Sequence, residues 1–344
     1  MPAFKKITLT FALVALLGNV PAAYARPDWA RFEQTLLEGH KVVNVLDDFF
    51  LFWEQAKGKS PRRQRRLWQR MVESKHQDYF DRAVYRDASD EERRFLLDMF
   101  LARVPDQIDQ LRDLNLRIKD IVVETLAHFK LRFQDYRQRT DIYIGLSLYR
   151  FDGSVRPVAN AEGLPDTLCL GAEMLVAYPQ EQLQIAVAHE FFHLYHFGYL
   201  FAEPDRSELR TPHLPLIVEG MAVAGSEALF PYRPQTLYLH FSDEELARQQ
   251  QELVGNCLEF LELIRDDAPP EKYEQWFTNA SLEELPPRGG YLLGYEVTKR
   301  LLAGVSLEEM VRMTPAQLRE HVEEQLYVMS ADNIFLLSEP MIEE

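Results

Sequence analysis

The feature that most constrains this chain is the stretch at residues 189–193, which reads His-Glu-Phe-Phe-His inside an apolar run. From 183 to 200 the run carries apolar side chains around nearly its whole circumference, as is typical of a helix buried on all sides. Each buried polar group without a partner costs about 2 kcal/mol or more. Because residues four apart share one helical face, His189 and His193 can bind one metal ion with Glu190 beside them. The pattern therefore predicts a zinc site with its own catalytic base.

A structural explanation of the same three polar residues stays open at this point. Two core histidines can be satisfied by backbone carbonyl groups, and the glutamate between them can be satisfied by an arginine. This alternative predicts the same buried helix without a metal ion.

A third ligand is the next requirement, because a catalytic zinc ion takes three protein ligands and keeps one position open for water. Glu219 lies in a second apolar run at residues 216–229, within the sequence Val-Glu-Gly-Met-Ala. The apolar neighbours indicate that its carboxylate is buried, and Gly220 allows another backbone to approach closely. Glu219 is therefore the predicted third ligand, on a helix that follows a proline-containing loop.

These elements resemble the gluzincin metallopeptidases, which pair His-Glu-x-x-His with a glutamate ligand on a following helix. More closely, the chain is similar to uncharacterised bacterial proteins described as predicted zinc proteases. They carry His-Glu-x-x-His, then Glu-Gly-x-Ala, then an aromatic Gly-Tyr segment. Here the three elements are residues 189–193, 219–222 and 288–295, and the resemblance covers roughly residues 140–303.

The resemblance implies a role for each motif residue. The two histidines and Glu219 bind zinc, and Glu190 is the general base that hydrolysis of a peptide bond requires. One feature differs, because thermolysin, a familiar gluzincin, has an aspartate one turn after the ligand glutamate, where this chain has Val223. Glu227 or a backbone carbonyl is then the predicted partner that orients the ligand histidines.

The oxyanion of such a reaction also needs a hydrogen-bond donor, commonly a tyrosine or histidine. Tyr291 is the favoured candidate, because Gly289 and Gly290 before it allow close approach to a cleft. Tyr295 follows one helical turn later on the same face, and His213 is a weaker alternative. Simple packing of both tyrosines, with their hydroxyl groups hydrogen-bonded, explains these residues equally well.

Hydrophobic periodicity divides the chain into a helical part and a mixed part. Residues 26–138 are predicted to form an N-terminal helical lobe, in which Pro105 ends one helix and a longer helix follows. Residues 139–344 are predicted to form the catalytic domain, with strands at 141–151 and 167–176 in a small antiparallel sheet. The predicted fold class is α+β and predominantly helical, with a zincin-like catalytic domain.

Three finer predictions concern the motif helix and the substrate. Pro179 fits the first turn of that helix, and Gly198 can adopt the left-handed conformation that ends it. His196, on the same helix, is expected to line the core. Gluzincins commonly bind an extended peptide along an edge strand beside the metal, and residues 168–172 are the candidate for that strand.

The start of the chain predicts export. A basic start and an apolar run at residues 7–20 lead to Ala-Tyr-Ala at residues 23–25, the pattern of a secretory signal peptide at residues 1–25. No later stretch is long and apolar enough to span a bilayer, so a periplasmic or secreted bacterial protein without a stable membrane span is expected. Cys169 and Cys257 are the two cysteines of the sequence, too few for a disulfide scaffold.

The charge balance restricts the partners. A formal net charge of −16 disfavours nucleic acid. One basic run on a predicted helix interrupts the acidic background, and it comprises Arg62, Arg63, Arg65, Arg66 and Arg70. Such a run is most often a solvated face, and contact with an anionic lipid or an envelope polymer is the alternative.

Together these observations predict a zinc-dependent peptidase with a peptide or protein substrate. A zinc hydrolase of a cell-wall amide is the nearest alternative, since the same metal, base and water serve any acyl bond. A non-catalytic envelope factor stabilised by zinc is the third, although no fourth cysteine or histidine stands near in sequence to close the site. The sequence predicts neither the oligomeric state nor the natural substrate.

Overall fold

The structure, a computed structural model, describes residues 37–159, 163–202, 207–278 and 288–337. The predicted signal peptide lies outside the described residues. The strands are β1 (Lys41–Asn44), β2 (Asp141–Gly145), β3 (Gly153–Arg156) and β4 (Thr167–Gly171). The helices are α1 (Val45–Ala56), α2 (Pro61–Met71), α3 (Asp90–Arg132), α4 (Ala172–Leu175), α5 (Gln180–Leu200), α6 (His213–Leu229), α7 (Gln235–Leu239), α8 (Asp243–Gln251), α9 (Leu253–Arg265), α10 (Pro270–Tyr273), α11 (Gly289–Leu301), α12 (Leu307–Met310) and α13 (Pro315–Leu337). Shorter turns are the 3₁₀ helices Glu73–Lys75, Ser207–Arg210 and Glu274–Phe277, and a π-helix Tyr79–Tyr85.

The sheet is mixed, in the order β1-β2-β4-β3. β1 pairs parallel to β2, β2 pairs parallel to β4, and β3 pairs antiparallel to β4. The prediction of an α+β, mainly helical fold is confirmed, whereas the prediction of an antiparallel sheet is wrong for two of these three pairs. Alternating side chains identify a strand, but they do not encode the direction of its neighbour. The parallel pairing of β1 with β2 is possible because residues 45–140 provide a long helical crossover.

The long helix α3 differs from the prediction at Pro105. It begins after a capping box, in which the Ser89 hydroxyl accepts from the backbone N–H of Glu92 while the Glu92 carboxylate accepts from the N–H of Ser89. The helix then continues through Pro105 instead of ending there. A proline inside a helix removes one donor and crowds the preceding turn. Buried residues on both sides of it, such as Val104 and Leu111, outweigh that cost by packing on the core.

The motif helix α5 lies at the centre of the molecule. It packs against α3 on one side and α6 on another, and it also contacts β3 and β4. Pro179 precedes its first residue, and Glu181 places a negative charge in its first turn. Gly198 does not end the helix as predicted, because α5 runs on to Leu200. A side chain at Gly198 would collide with Gln138, so this glycine serves close packing.

Helices α6 and α11 touch through their backbones. A Cβ atom at Gly220 would collide with the carbonyl group of Gly294, and a Cβ at Gly294 would collide with the carbonyl oxygen of Leu216. The close approach expected at Gly220 is therefore present, and the partner is the glycine-containing helix α11. This contact places the helix that carries Glu219 directly beside the helix that carries Tyr291.

The described residues from Gly39 onward belong to one compact unit. β1 joins the sheet next to β2, so the part of the chain predicted to be a purely helical lobe also contributes a strand. The domain boundary between residues 138 and 139 stays a prediction. Among the helices within the described residues, none combines the length and apolar character that crossing a membrane requires.

Candidate active site

Helices α5 and α6 bring three side chains to one point. His189 Nε2 lies 3.0 Å from Glu219 Oε2, His193 Nε2 lies 3.3 Å from the same oxygen, and the two imidazole nitrogens are 2.9 Å apart. Ligand atoms around a tetrahedral zinc ion at bond lengths of about 2.0–2.1 Å are roughly 3.3 Å apart. Two imidazoles and one carboxylate are also a donor set that zinc commonly takes. The three residues therefore fit a zinc ion, with one tetrahedral position left for water.

The pKa of each of these three side chains depends on the other two. Burial lowers the pKa of the His189 imidazole, and the neighbouring His193 lowers it further. Burial alone would lower the pKa of His193 as well, but the charge and hydrogen bond of Glu219 raise it. Burial opposes ionisation of Glu219, yet the two histidines hold its pKa well below the usual range. The ionised carboxylate of Glu219 next to the neutral imidazole of His189 is a favourable pair of ligands for a divalent cation.

Glu190 stands beside the three ligands without a partner. Its side chain is buried, and its Oε2 has no hydrogen-bond partner among the described residues. Burial raises the pKa of its carboxyl group to about 8. A Cβ atom at Gly153 would lie 2.6 Å from Glu190 Cγ. Because position 153 has no side chain, strand β3 can lie directly against this carboxyl group.

The cluster opens into a cavity of about 500 Å³. Its walls include β3, the motif residues of α5, and Glu219 of α6, and the side near α11 adds Arg288 and Tyr291. β3 is an edge strand, since β4 is its neighbour on one side and no other strand of the described residues pairs with it. The predicted edge strand at residues 168–172 is therefore wrong, because it coincides with β4 in the sheet interior. The order of strands across a sheet is set by tertiary packing, which local periodicity does not record.

The two predicted tyrosines differ in position. Tyr291 lines the cavity, with its ring centre 6.3 Å from that of His189 and the Arg288 guanidinium carbon 4.1 Å from its own ring centre. Tyr295 is outside the set of residues that line the cavity. It is 2% exposed, and its hydroxyl group donates to Glu227 at 2.7 Å. Tyr295 thus packs between α11 and α6, as the packing alternative expected for it.

The predicted orienting partners of the histidines are also placed elsewhere. Glu227 accepts the hydrogen bond of Tyr295, and His193 Nδ1 is buried without a hydrogen-bond partner among the described residues. The His193 ring instead stacks on Phe197, with 5.5 Å between the ring centres and an interplanar angle of 18°. Aromatic packing therefore restrains this imidazole, and Glu227 does not contact it as predicted.

The remaining histidines and cysteines of the predictions lie in the core. His213 is fully buried at the start of α6, and its Nε2 donates to the carbonyl oxygen of Pro315 at 3.0 Å. His196 is fully buried on α5, as expected. Cys169 and Cys257 are free thiols, both buried. None of these four residues lines the cavity.

Sequence reasoning assigned no role to several polar residues of the cavity, among them Asp152, His240 and Arg288. Asp152 accepts from the Tyr178 hydroxyl at 2.9 Å and from the backbone N–H of Gly153. Burial opposes its ionisation, but these hydrogen bonds hold its pKa below the usual range. His240 and Arg288 both have positive φ angles, of 56° and 57°. Arg288 directly precedes the Gly-Gly-Tyr segment, whereas the other two stand alone in the sequence and give no motif signal.

Comparison with known proteins places the chain in a family. No curated protein and no solved structure matches it. A family model described as "Predicted Zn-dependent protease (DUF2268)" matches residues 146–320, which is just over half of the chain. The matched region contains the three ligand residues, Glu190 and most of the cavity wall. The chain therefore belongs to this family of predicted zinc-dependent proteases.

Proposed function

We propose that this protein is a zinc-dependent peptidase of the gluzincin type. The observation that carries the proposal is the convergence of His189, His193 and Glu219 within 3.3 Å of one another, beside the unpartnered carboxyl group of Glu190. When bound, zinc supplies a Lewis acid that polarises the scissile carbonyl group and lowers the pKa of a water molecule.

Glu190 is the proposed general base. Its carboxylate accepts a proton from the attacking water and then passes that proton to the leaving amine. Burial raises the pKa of its carboxyl group, and a carboxylate with a raised pKa is a stronger base than an exposed one. Glu190 lies against Gly153, so the proposed proton transfer would occur beside the edge strand.

The edge strand β3 is the proposed binding site for the substrate backbone. An extended peptide adds to such an edge through main-chain hydrogen bonds, as one more strand of the sheet. Gly153 at its start lies against Glu190, so a peptide paired there passes the general base. This arrangement favours a polypeptide over a cell-wall amide, because a polypeptide has a backbone that can pair with a strand.

A second cavity supports a polypeptide substrate with a large apolar side chain next to the scissile bond. It has a volume of about 720 Å³ and shares Phe197, Glu219 and Phe277 with the first cavity. Most of its other wall residues are apolar, among them Leu214 and Val218. An apolar side chain that enters it gains about 25 cal/mol for each Å² removed from water.

Tyr291 is the proposed donor to the oxyanion. Burial raises the pKa of its hydroxyl group far above the usual range, so the group keeps its proton at every working pH. Arg288 lies over the same ring and brings a fixed positive charge to this wall of the cavity. Both groups favour negative charge that develops on the carbonyl oxygen.

The test compares the purified wild-type protein with Glu190→Gln, and with Glu244→Gln as an exposed control on α8. All three proteins are expected to bind one zinc ion, measured by metal analysis. The wild type and the control should cleave a peptide library, with a preference for large apolar residues beside the cleaved bond, and Glu190→Gln should not. Equal cleavage by Glu190→Gln would remove the assigned base. Cleavage of cell-wall material without cleavage of peptides would favour the amidase alternative.

We also propose that the protein is exported, because its start has the composition of a signal peptide. Mass spectrometry of the protein from the periplasm or medium of an expressing bacterium is expected to show a chain that begins at Arg26. An intact N-terminus on a cell-associated protein would contradict cleavage after residue 25.

A further inference from the structure

The outer face of helix α2 carries four arginines, Arg62, Arg63, Arg66 and Arg70, here named the arginine stripe. All four are exposed. Three of them are spaced four residues apart and form one row along the helix, and Arg63 lies beside that row. Trp68 faces the opposite way and is fully buried in the core. The stripe is therefore the side of α2 that faces away from the protein.

The stripe has no counter-charge within the described residues. None of its four guanidinium groups forms an ion pair or a side-chain hydrogen bond there, whereas their neighbour Arg65 pairs with Asp98 at 2.7 Å. Helix α2 contains no acidic residue, and two of the arginines lie in its first turn. Like charges four residues apart repel each other, and cations at a helix N-terminus oppose the helix dipole. The stripe thus destabilises its own helix, and nothing in the described part of the chain compensates for it.

The surface around the stripe indicates which class of partner could bind to it. Its arginines, together with Ser60 and Leu67, line a shallow surface depression of about 430 Å³. Leu67 is the only apolar residue of that lining. A protein interface usually has a buried apolar or aromatic centre, which this surface does not offer. The whole chain carries a formal charge of −16 even with these arginines counted, and it has no further basic run of this kind, which disfavours an extended contact with a nucleic acid.

We propose that the arginine stripe binds the phosphate headgroups of an anionic lipid surface. Planar guanidinium groups bind phosphate oxygens through two parallel hydrogen bonds, and a lipid surface presents phosphates at high density without demanding a complementary shape. The contact is peripheral and reversible. Because the net charge of the rest of the chain is negative, the stripe also determines which side of the protein faces the lipid.

The test measures co-sedimentation with vesicles, using a variant of the stripe and a charge-matched control. The stripe variant is Arg62→Gln, Arg66→Gln and Arg70→Gln. The control is Arg248→Gln, Arg265→Gln and Lys272→Gln, three exposed cations on α8, α9 and α10. Both variants lose three positive charges, so a difference between them reports position and not net charge.

Wild type and control are expected to bind vesicles that contain phosphatidylglycerol, to ignore vesicles of pure phosphatidylcholine, and to dissociate as salt rises. Each basic residue near an anionic surface contributes about fivefold to partitioning, so the stripe variant should bind on the order of 100-fold more weakly. Its thermal unfolding temperature should stay equal or rise, because repulsion within α2 is relieved.

Three outcomes would overturn the proposal. One is equal binding of the stripe variant and the control to phosphatidylglycerol vesicles. Another is equal binding of the wild type to neutral and anionic vesicles. The third is capture of the wild type by soluble polyglutamate without any vesicle binding, which would assign the stripe to an acidic protein. Zinc binding and peptide cleavage play no part in these readouts, so they do not depend on the proposed catalytic function.

Discussion

Two polar clusters lie on neighbouring turns of the motif helix α5, and they are built in opposite ways. In the Asp135 cluster, the hydroxyl groups of Tyr195 and Tyr199 donate to the carboxylate of Asp135, at 2.9 Å each. Arg312 forms an ion pair with the same carboxylate. Each of these four side chains has a partner within the chain, and the cluster joins α5 to the segments around residues 135 and 312.

The zinc cluster, formed by His189, Glu190, His193 and Glu219, is one to two turns away. There, three ligand atoms crowd within 3.3 Å of one another and one carboxylate oxygen has no partner among the described residues. The Asp135 cluster stabilises the fold by itself, whereas under the proposed function the zinc cluster would be completed by a cation and a substrate. Buried polar groups on one helix can thus be sorted by whether their partners belong to the chain.

The largest expected effect separates activity from stability. Glu190→Gln should lower kcat about 10²–10⁴-fold, the usual contribution of a general base. Its unfolding temperature should not fall, because the carboxyl group makes no hydrogen bond through Oε2 that the amide would lose. Peptidase assays and calorimetry on the same samples measure both. A large loss of stability would show that Glu190 stabilises the fold, as the residues of the Asp135 cluster do.

Removal of the metal tests whether the zinc cluster is completed from outside. Zinc at 1,000 times its dissociation constant should stabilise the wild type by about 4 kcal/mol over the chelated protein. Glu219→Gln should lose most of this zinc-dependent shift, since one of three ligands is gone. Thermal unfolding with a chelator and with added zinc gives both numbers. A zinc shift of equal size in Glu219→Gln would place the ion elsewhere.

The two tyrosines of α11 can be compared in the same way, because Tyr291 is proposed to act in catalysis and Tyr295 packs within the fold. Tyr291→Phe should lower kcat about 10²-fold, as loss of an oxyanion donor does, with little change in stability. Tyr295→Phe should cost about 1 kcal/mol of unfolding free energy through its lost hydrogen bond to Glu227, with activity unchanged. Kinetics and denaturant titration of the pair provide the check. If the effects were exchanged, the packing assignment of Tyr295 would be wrong.

The smallest expected effect concerns the Asp135 cluster. Burial favours the neutral form of Asp135, but hydrogen bonds from Tyr195 and Tyr199 and the charge of Arg312 hold its pKa below the usual value. Stability from this group is therefore present above the ordinary aspartate pKa of about 4 and is lost as the pH falls through the lower folded value.

Asp135→Asn should cost about 1–2 kcal/mol near neutral pH, because the carboxylate is partly exposed, and should leave peptidase activity intact. Denaturant titrations from pH 7 to pH 3 should show the difference between wild type and variant shrinking in acid. A difference that grows in acid would contradict the assigned ionisation. A loss of activity would show that the two clusters are coupled.

The sequence pointed to His189, His193 and Glu219 because the information that singles them out is local. The spacing of His189 and His193 fixes a shared helical face, and the apolar run around them leaves their polar atoms without water. Glu219 was found for the same reason, as an acid in a second apolar run. The structure brings the potential ligand atoms of these three residues together, and their role as zinc ligands stays a prediction.

The edge strand and the outer cavity wall depend on tertiary packing instead. β3 reads Gly-Ser-Val-Arg and was not predicted as a strand, and only its pairing with β4 shows that it forms the edge of the sheet. Asp152 and His240 reach the cavity from separate loops, so neither has a motif around it. Pro105 shows the limit of a local rule, because burial along α3 outweighs the usual effect of an internal proline.

The backbone contact between Gly220 and Gly294 bears on how the cleft can open. Glu219 precedes the first glycine by one residue, and Tyr291 precedes the second by three. Since the two backbones touch at these glycines with no side chain between them, α6 and α11 hold Glu219 and Tyr291 on one wall of the cavity. Entry and release of a bulky peptide would then depend on movement of the opposite wall of the cavity. On that side, strand β3 pairs with β4 alone among the strands of the described residues.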